Sequence, residues 1–271
     1  MRGNMRRHIG EIIFNLRREK HYTQRQISDQ LCSVAEIERI EAGKKTPNYF
    51  LLDMLFERMG KATDRLEYIL PRAAYRVYEL RFQIQREILY QRFETAEQLI
   101  DSYEKMDLSY QALHTQFIEQ ERAQIAWLRG EGTENVLTHL NKAIVQTMDQ
   151  ELTDQNRQLS ADEIKLLLFR WEVCKETERE GSDLELARLI QYLEGKEFEV
   201  EELAKVYPYT VLLCEKTKLF TERERKEAAK KRWRFWEKVV RFFFWQRYWG
   251  CLPGIVRKKN KRSMLLSGKV S

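Results

Sequence analysis

Proline is scarce in this chain: of 271 residues four are proline, at positions 47, 71, 208 and 253. None falls between 72 and 207, where glycine occurs only at 130, 132, 181 and 195. A stretch so poor in breakers excludes a loop-dominated or collagen-like chain and leaves room for long helices. The four cysteines (32, 174, 214, 251) form no CxxC pair, which excludes a disulfide framework and a zinc finger. Histidines 8, 21, 114 and 139 stand apart, and there is no HExxH, GxSxG or phosphate-cradling glycine loop. Neither an enzyme nor a metal or cofactor site is therefore expected. The start MRGNMRRHIGEIIFNL lacks the apolar core and small-residue cleavage site of a secretory leader. A cytoplasmic protein without a transmembrane span is expected.

What is present is charge and helical periodicity. Charged residues make up 33% and hydrophobic ones 43%, enough for real cores under solvated helical faces. The net +6 is unevenly spread. Residues 1–70 hold 13 Lys/Arg against 10 Asp/Glu, residues 71–220 hold 19 against 28, and residues 221–271 hold 16 against 4. The basic excess thus belongs to the tail and is not by itself a sign of nucleic-acid binding.

The densest signals lie between Thr23 and Gly43, TQRQISDQLCSVAEIERIEAG. Thr23 with Gln26, and Ser33 with Glu36, each have the spacing of a capping box, so two short helices start there. Ile27 and Leu31 mark the inner face of the first, Ile37 and Ile40 that of the second. Gly43 stands where a helix end requires positive φ. An upstream helix carries Ile9, Ile12, Ile13 and Leu16. A fourth opens at Pro47–Asn48 and runs through Leu51, Leu52, Leu55 and Met59 to Gly60, and Thr63 caps a fifth with Leu66 and Ile69.

Through LRREKHYTQRQIS, IERIEAGKKTP and FLLDMLFERMG, residues 9–70 resemble the XRE-type helix-turn-helix domain of phage repressors and their bacterial relatives. Only Cys32, Ser33, Val34, Ala35 and Glu36 separate Leu31 from Ile37. In the usual family pattern that stretch is longer and contains a Gly. The shortened turn resembles the PlcR/Rgg-like regulators, in which a tetratricopeptide-like helical domain follows and binds a signalling peptide. The resemblance also implies a salt bridge between Arg17 and Glu41, joining the first and third helices.

Beyond Pro71 the periodicity continues. Ala96, Leu99, Ile100, Tyr103 and Met106 share one face. Val136, Leu137, Leu140, Ala143, Ile144 and Met148 share another, Ile164, Leu167, Leu168 and Trp171 a third, and Ala187, Ile190 and Leu193 a fourth. Second helices of hairpins begin near Glu94, Glu134, Asp183 and Glu222, spacings that suggest a helical-hairpin solenoid. The expected fold is all-α. A five-helix DNA-binding domain spans 1–70, a tetratricopeptide-like domain for dimerisation and ligand sensing spans 72–229, and a basic aromatic tail spans 230–271. That tail, KKRWRFWEKVVRFFFWQRYW and beyond, suits a capping or dimerising helix, a membrane-surface helix, a nucleic-acid contact, or a stretch not under selection after a lost reading frame.

In a helix-turn-helix the start of the second helix meets base edges. Val34, Ala35, Glu36, Glu38 and Arg39 are the candidate base contacts, Arg39 foremost because its fork fits guanine O6 and N7. Gln24, Arg25, Lys44 and Lys45 are the candidate phosphate contacts. The resemblance implies a peptide groove, for which Gln83, Gln116, Gln124 and Asn141 are candidates. Double-stranded DNA, a second copy of the chain and a small peptide are the expected partners. A contrasting reading is a protein-interaction adaptor whose acidic helical domain docks a partner and whose DNA contact is secondary.

Overall fold

The computed structural model describes residues 2–61, 72–148, 158–176, 182–199, 203–206, 209, 210 and 213. The side chains of residues 2–8, 72–74, 182 and 183 are not described. The expected fifth helix and the whole of the tail, 230–271, lie outside this set. The described chain is all-helical: α1 (Arg2–Glu19), α2 (Gln24–Ser28), α3 (Val34–Glu41), α4 (Tyr49–Arg58), α5 (Arg72–Leu89), α6 (Phe93–Glu104), α7 (Gln111–Arg129), α8 (Thr133–Thr147), α9 (Ala161–Glu176) and α10 (Ser182–Gly195). No strand occurs among the described residues, and none of their helices is long and apolar enough to cross a membrane. The described residues all fall within one compact unit, Met1–Leu219.

Local chemistry explains the helix ends. Thr23 accepts from the Gln26 amide while the Gln26 side chain accepts from the Thr23 amide, a complete capping box. Asn48 caps α4 by accepting from Leu51 N at 2.8 Å. At the end of α3, Gly43 takes φ 68°. Its amide donates to Ile40 O (2.9 Å), and that of Lys44 to Arg39 O (2.8 Å), the paired bonds of a Schellman ending. Gly60 closes α4 in the same way at φ 74°.

α3 packs against α1 and α2, and α2 also meets α4. Farther along, α5 packs on α6 and α7, α6 on α7, α7 on α8, α8 on α9 and α9 on α10. Helices α6, α8 and α10 begin beside Glu94, Glu134 and Asp183, as the sequence anticipates, and Glu222 lies outside the described residues. One face is misassigned by a residue: α10 buries Leu186, Leu189 and Leu193, whereas Ala187 and Ile190 are only half-buried. Two apolar cores result. The first joins α1–α4 to α5–α7, and the second runs from Ala123 through α8, α9 and α10 to Leu213.

The N-terminal helices are fastened to the rest by a polar seam. Arg58 donates to Glu163 Oε1 and Oε2 at 2.7 and 3.3 Å. It also donates to the carbonyls of Ile27 (3.3 Å), Asp29 (2.7 Å) and Thr147 (3.1 Å). One guanidinium thus serves orphan carbonyls near the ends of α2 and α8 while pairing with α9. Glu57 accepts from Ala161 N (3.1 Å) and Lys205 Nζ (2.7 Å). Beside it, Glu199 N donates to Gly60 O at 2.8 Å. A Cβ at position 60 would stand 2.7 Å from Glu197 O, so only glycine fits there.

Candidate nucleic-acid interface

α3 divides its residues cleanly. Ile37 and Ile40 are fully buried, whereas Val34, Ala35, Glu38 and Arg39 are exposed. Gly10 permits α1 to approach this closely, because a Cβ there would lie 2.3 Å from Ile40 O. Arg39 donates from Nε to Ala35 O at 3.3 Å, one turn back on its own helix. The other groups of its planar fork remain on the exposed side.

α3 is held by an ionic fork at its far end. Arg17 Nε and Nη2 donate to Glu41 Oε1 and Oε2 at 2.6 and 2.8 Å, and Nη1 donates to Tyr22 O at 2.9 Å. Bidentate geometry fixes both partners in orientation. Gln24 is drawn into this group, donating to Glu41 Oε2 at 2.8 Å. It is therefore an orienting residue of the fork rather than a free amide awaiting a phosphate. Arg25 and Lys44 are exposed.

Glu36 departs most from expectation. Ser33 caps α3 by accepting from Glu36 N at 3.2 Å, but the reciprocal half of the second capping box does not form. The Glu36 carboxylate turns instead to Lys45 Nζ at 2.5 Å and to the hydroxyl of Tyr110. Burial opposes the charge of Glu36, but hydrogen bonds from Lys45 and Tyr110 and the charges of Lys45 and Arg39 outweigh it. The carboxyl is held below the ordinary range. The Lys45 ammonium also lies 5.8 Å from the Tyr110 ring centroid. Tyr110 precedes α7 in a left-handed conformation, φ 61°. It was invisible to sequence reading because nothing local marks a tyrosine 74 residues away as a partner of α3. Nearby, burial and then the charge of Glu36 push the Cys32 thiol up to about 12, so it is chemically quiet.

The four groove candidates are not brought together. Gln116 is buried and donates to Thr147 Oγ1 at 2.5 Å, so it is a core residue. Gln83 is half-buried on α5 and Asn141 exposed on α8. Gln124 does line a cavity of about 300 Å³ with Trp127, Lys165, Phe169, Glu172 and Tyr209. There the Trp127 and Phe169 rings meet edge to face at 6.1 Å, and Tyr209 Oη donates to Glu172 at 2.5 Å. Among the described residues no group of three or more His, Cys, Asp or Glu side chains is placed to hold a metal ion.

Compared with known protein families, curated proteins and solved structures, the chain matches none.

Proposed function

We propose that this chain is a sequence-specific DNA-binding transcriptional regulator of the XRE type. On this reading α2 and α3 are its helix-turn-helix, and the helices that follow are a tetratricopeptide-like domain. The reading rests on one observation: α3 presents Val34, Ala35, Glu38 and Arg39 outward while Ile37 and Ile40 are fully buried. Arg39 reads a base, and Arg25 and Lys44 contact phosphates. Glu36 and Lys45, engaged with one another and with Tyr110, bear on readout by positioning α3. The regulator works in the cytoplasm as a homodimer on two half-sites. The cavity lined by Gln124, Trp127, Phe169 and Tyr209 takes a side chain of a small signalling peptide, its size and mixed aromatic and amide lining suiting one.

The test is operator selection followed by binding measurements. Arg39→Ala should cost roughly 1–3 kcal/mol on the preferred sequence and relax base preference at one position per half-site. Lys44→Ala should weaken all sequences alike and lower the salt slope by about one unit. Loss of discrimination from neither variant would sink the assignment of α3 as the reading helix. The adaptor reading draws on the 28 acidic against 19 basic residues of 71–220. A stoichiometric protein partner recovered without any DNA footprint would favour it.

A further inference from the structure

α5 carries two apolar faces where a surface helix needs one. Its inner face is Val77, Ile84 and Ile88, all buried. On the opposite side Tyr75, Tyr78, Phe82 and Leu89 follow at intervals of three, four and seven residues, with Tyr90 next to them. These five side chains are 44–77% exposed, and they are half of the ten large exposed apolar residues described. Such spacing is that of a seam between two helices packed side by side. A patch concentrated on one helix is the kind of surface that marks an interface.

The charges beside the seam indicate what covers it. Glu79 and Arg86 are both exposed, one heptad apart on the same flank. If a second α5 lies antiparallel on the first, with a two-fold axis near Phe82, Glu79 of each copy comes beside Arg86 of the other. Tyr75 then meets Leu89 and Tyr90 across the axis, and Phe82 meets its own counterpart. The face is thus self-complementary in its charges and in the placing of its apolar residues, as a two-fold interface requires. At roughly 150–250 Å² per aromatic side chain, the exposed portions offer on the order of 500 Å² per copy and about 1,000 Å² for the pair, near the threshold for a specific interface.

We propose that the outer face of α5 docks a second copy of this chain, α5 against α5 in antiparallel sense about Phe82. This rests on the homodimer reading above and adds the surface that makes the dimer. Sedimentation equilibrium of the full chain tests both. The wild-type chain should be dimeric, and Phe82→Glu should be monomeric with an unchanged helical circular-dichroism spectrum. Glu79→Arg should weaken the dimer by about tenfold, and the double variant Glu79→Arg, Arg86→Glu should restore it. Arg92, 3.2 Å from Glu87, still holds that buried carboxylate when Arg86 is replaced. A monomeric wild-type chain would overturn the homodimer reading and this inference with it. A Phe82→Glu chain that stays dimeric would place the dimer on another face and overturn this inference alone, as would a charge reversal that the second substitution does not rescue.

Discussion

Arg17 and Arg58 each grip a glutamate with a two-pronged fork, but in different parts of the molecule. The Arg17–Glu41 pair lies within the N-terminal helices, its side chains 10% and 6% exposed. The Arg58–Glu163 pair lies in the seam between those helices and α9, its side chains 1% and 0% exposed. Arg17 serves one further carbonyl, that of Tyr22, whereas Arg58 serves three. The first pair orients one helix against its neighbour. The second stands in for the carbonyl partners that two helix ends would otherwise lack, and it joins two parts of the fold. Pairing alone is worth little in the interior, because desolvation consumes the Coulomb gain. The severe outcome is one partner left buried alone.

The largest expected effect therefore belongs to the seam. Glu163→Ala should lower stability by about 3–5 kcal/mol in urea unfolding, with Arg58 left uncompensated. Arg58→Met combined with Glu163→Leu should recover only part of that loss, because three carbonyls stay orphaned. Full recovery would mean that those carbonyls carry no weight and would erase the contrast with Arg17.

Acid should weaken the same union of N-terminal and later helices. Burial, then the nearby charge of Arg81, pushes the His114 imidazole down to about 4. His114 meets the Phe50 ring at 5.0 Å and the Tyr103 hydroxyl at 2.6 Å. Between pH 6.5 and 4 the folded chain binds fewer protons than the unfolded one at this site. The contribution of His114 is thus whole above pH 6.5 and lost as pH falls through 4, about 3 kcal/mol in all. Buried Glu121 has the opposite sign. Desolvation raises its carboxyl to about 7, so its contribution is whole below pH 4.5 and lost as pH rises through 7. Urea midpoints across pH 4–8 should flatten on the acid side in His114→Gln and on the neutral side in Glu121→Gln. An unchanged profile in His114→Gln would remove that residue from the account.

Within the N-terminal helices, Glu41→Ala should cost about 2–3 kcal/mol, since Arg17 and Gln24 lose their shared acceptor but retain some access to water. Here Arg17→Met with Glu41→Leu should recover most of the loss. Equal damage in the single and double variants would show that the fork acts through shape alone.

The difference between the two regions is also a difference in what sequence can reveal. Thr23, Asn48, Gly43 and Gly60 act within a few residues of themselves, and their effects were readable because both partners lie inside one turn. Ile37 and Ile40, or Val136 through Met148, announce a buried face by period but not which neighbour covers it. On α10 the same signal slipped by one residue. The Ser160–Glu163 spacing is itself a capping box: Ser160 N donates to Glu163 Oε2 at 2.7 Å, and Glu163 N to Ser160 Oγ at 3.1 Å. That much is legible in the spacing alone. Its pairing with Arg58 was not, since a charged residue carries no periodic mark of a partner 105 positions away. The same holds for Tyr110, whose grip on Glu36 altered the reading of the candidate interface more than any motif did.

That distance also sets an order of events in the growing chain. Arg58 leaves the ribosome 105 residues ahead of Glu163, and Lys61 leaves 138 residues ahead of Glu199, to which it donates at 2.7 Å. At about 5–20 residues per second, roughly 5–30 s pass in which the N-terminal helices have their own caps and fork but no seam. Their local contacts form early, while the loops that close the seam span more than a hundred residues and form late. A newborn N-terminal segment thus spends seconds with Glu57, Arg58 and Gly60 facing water, and the seam closes only once Glu163, Glu199 and Lys205 arrive.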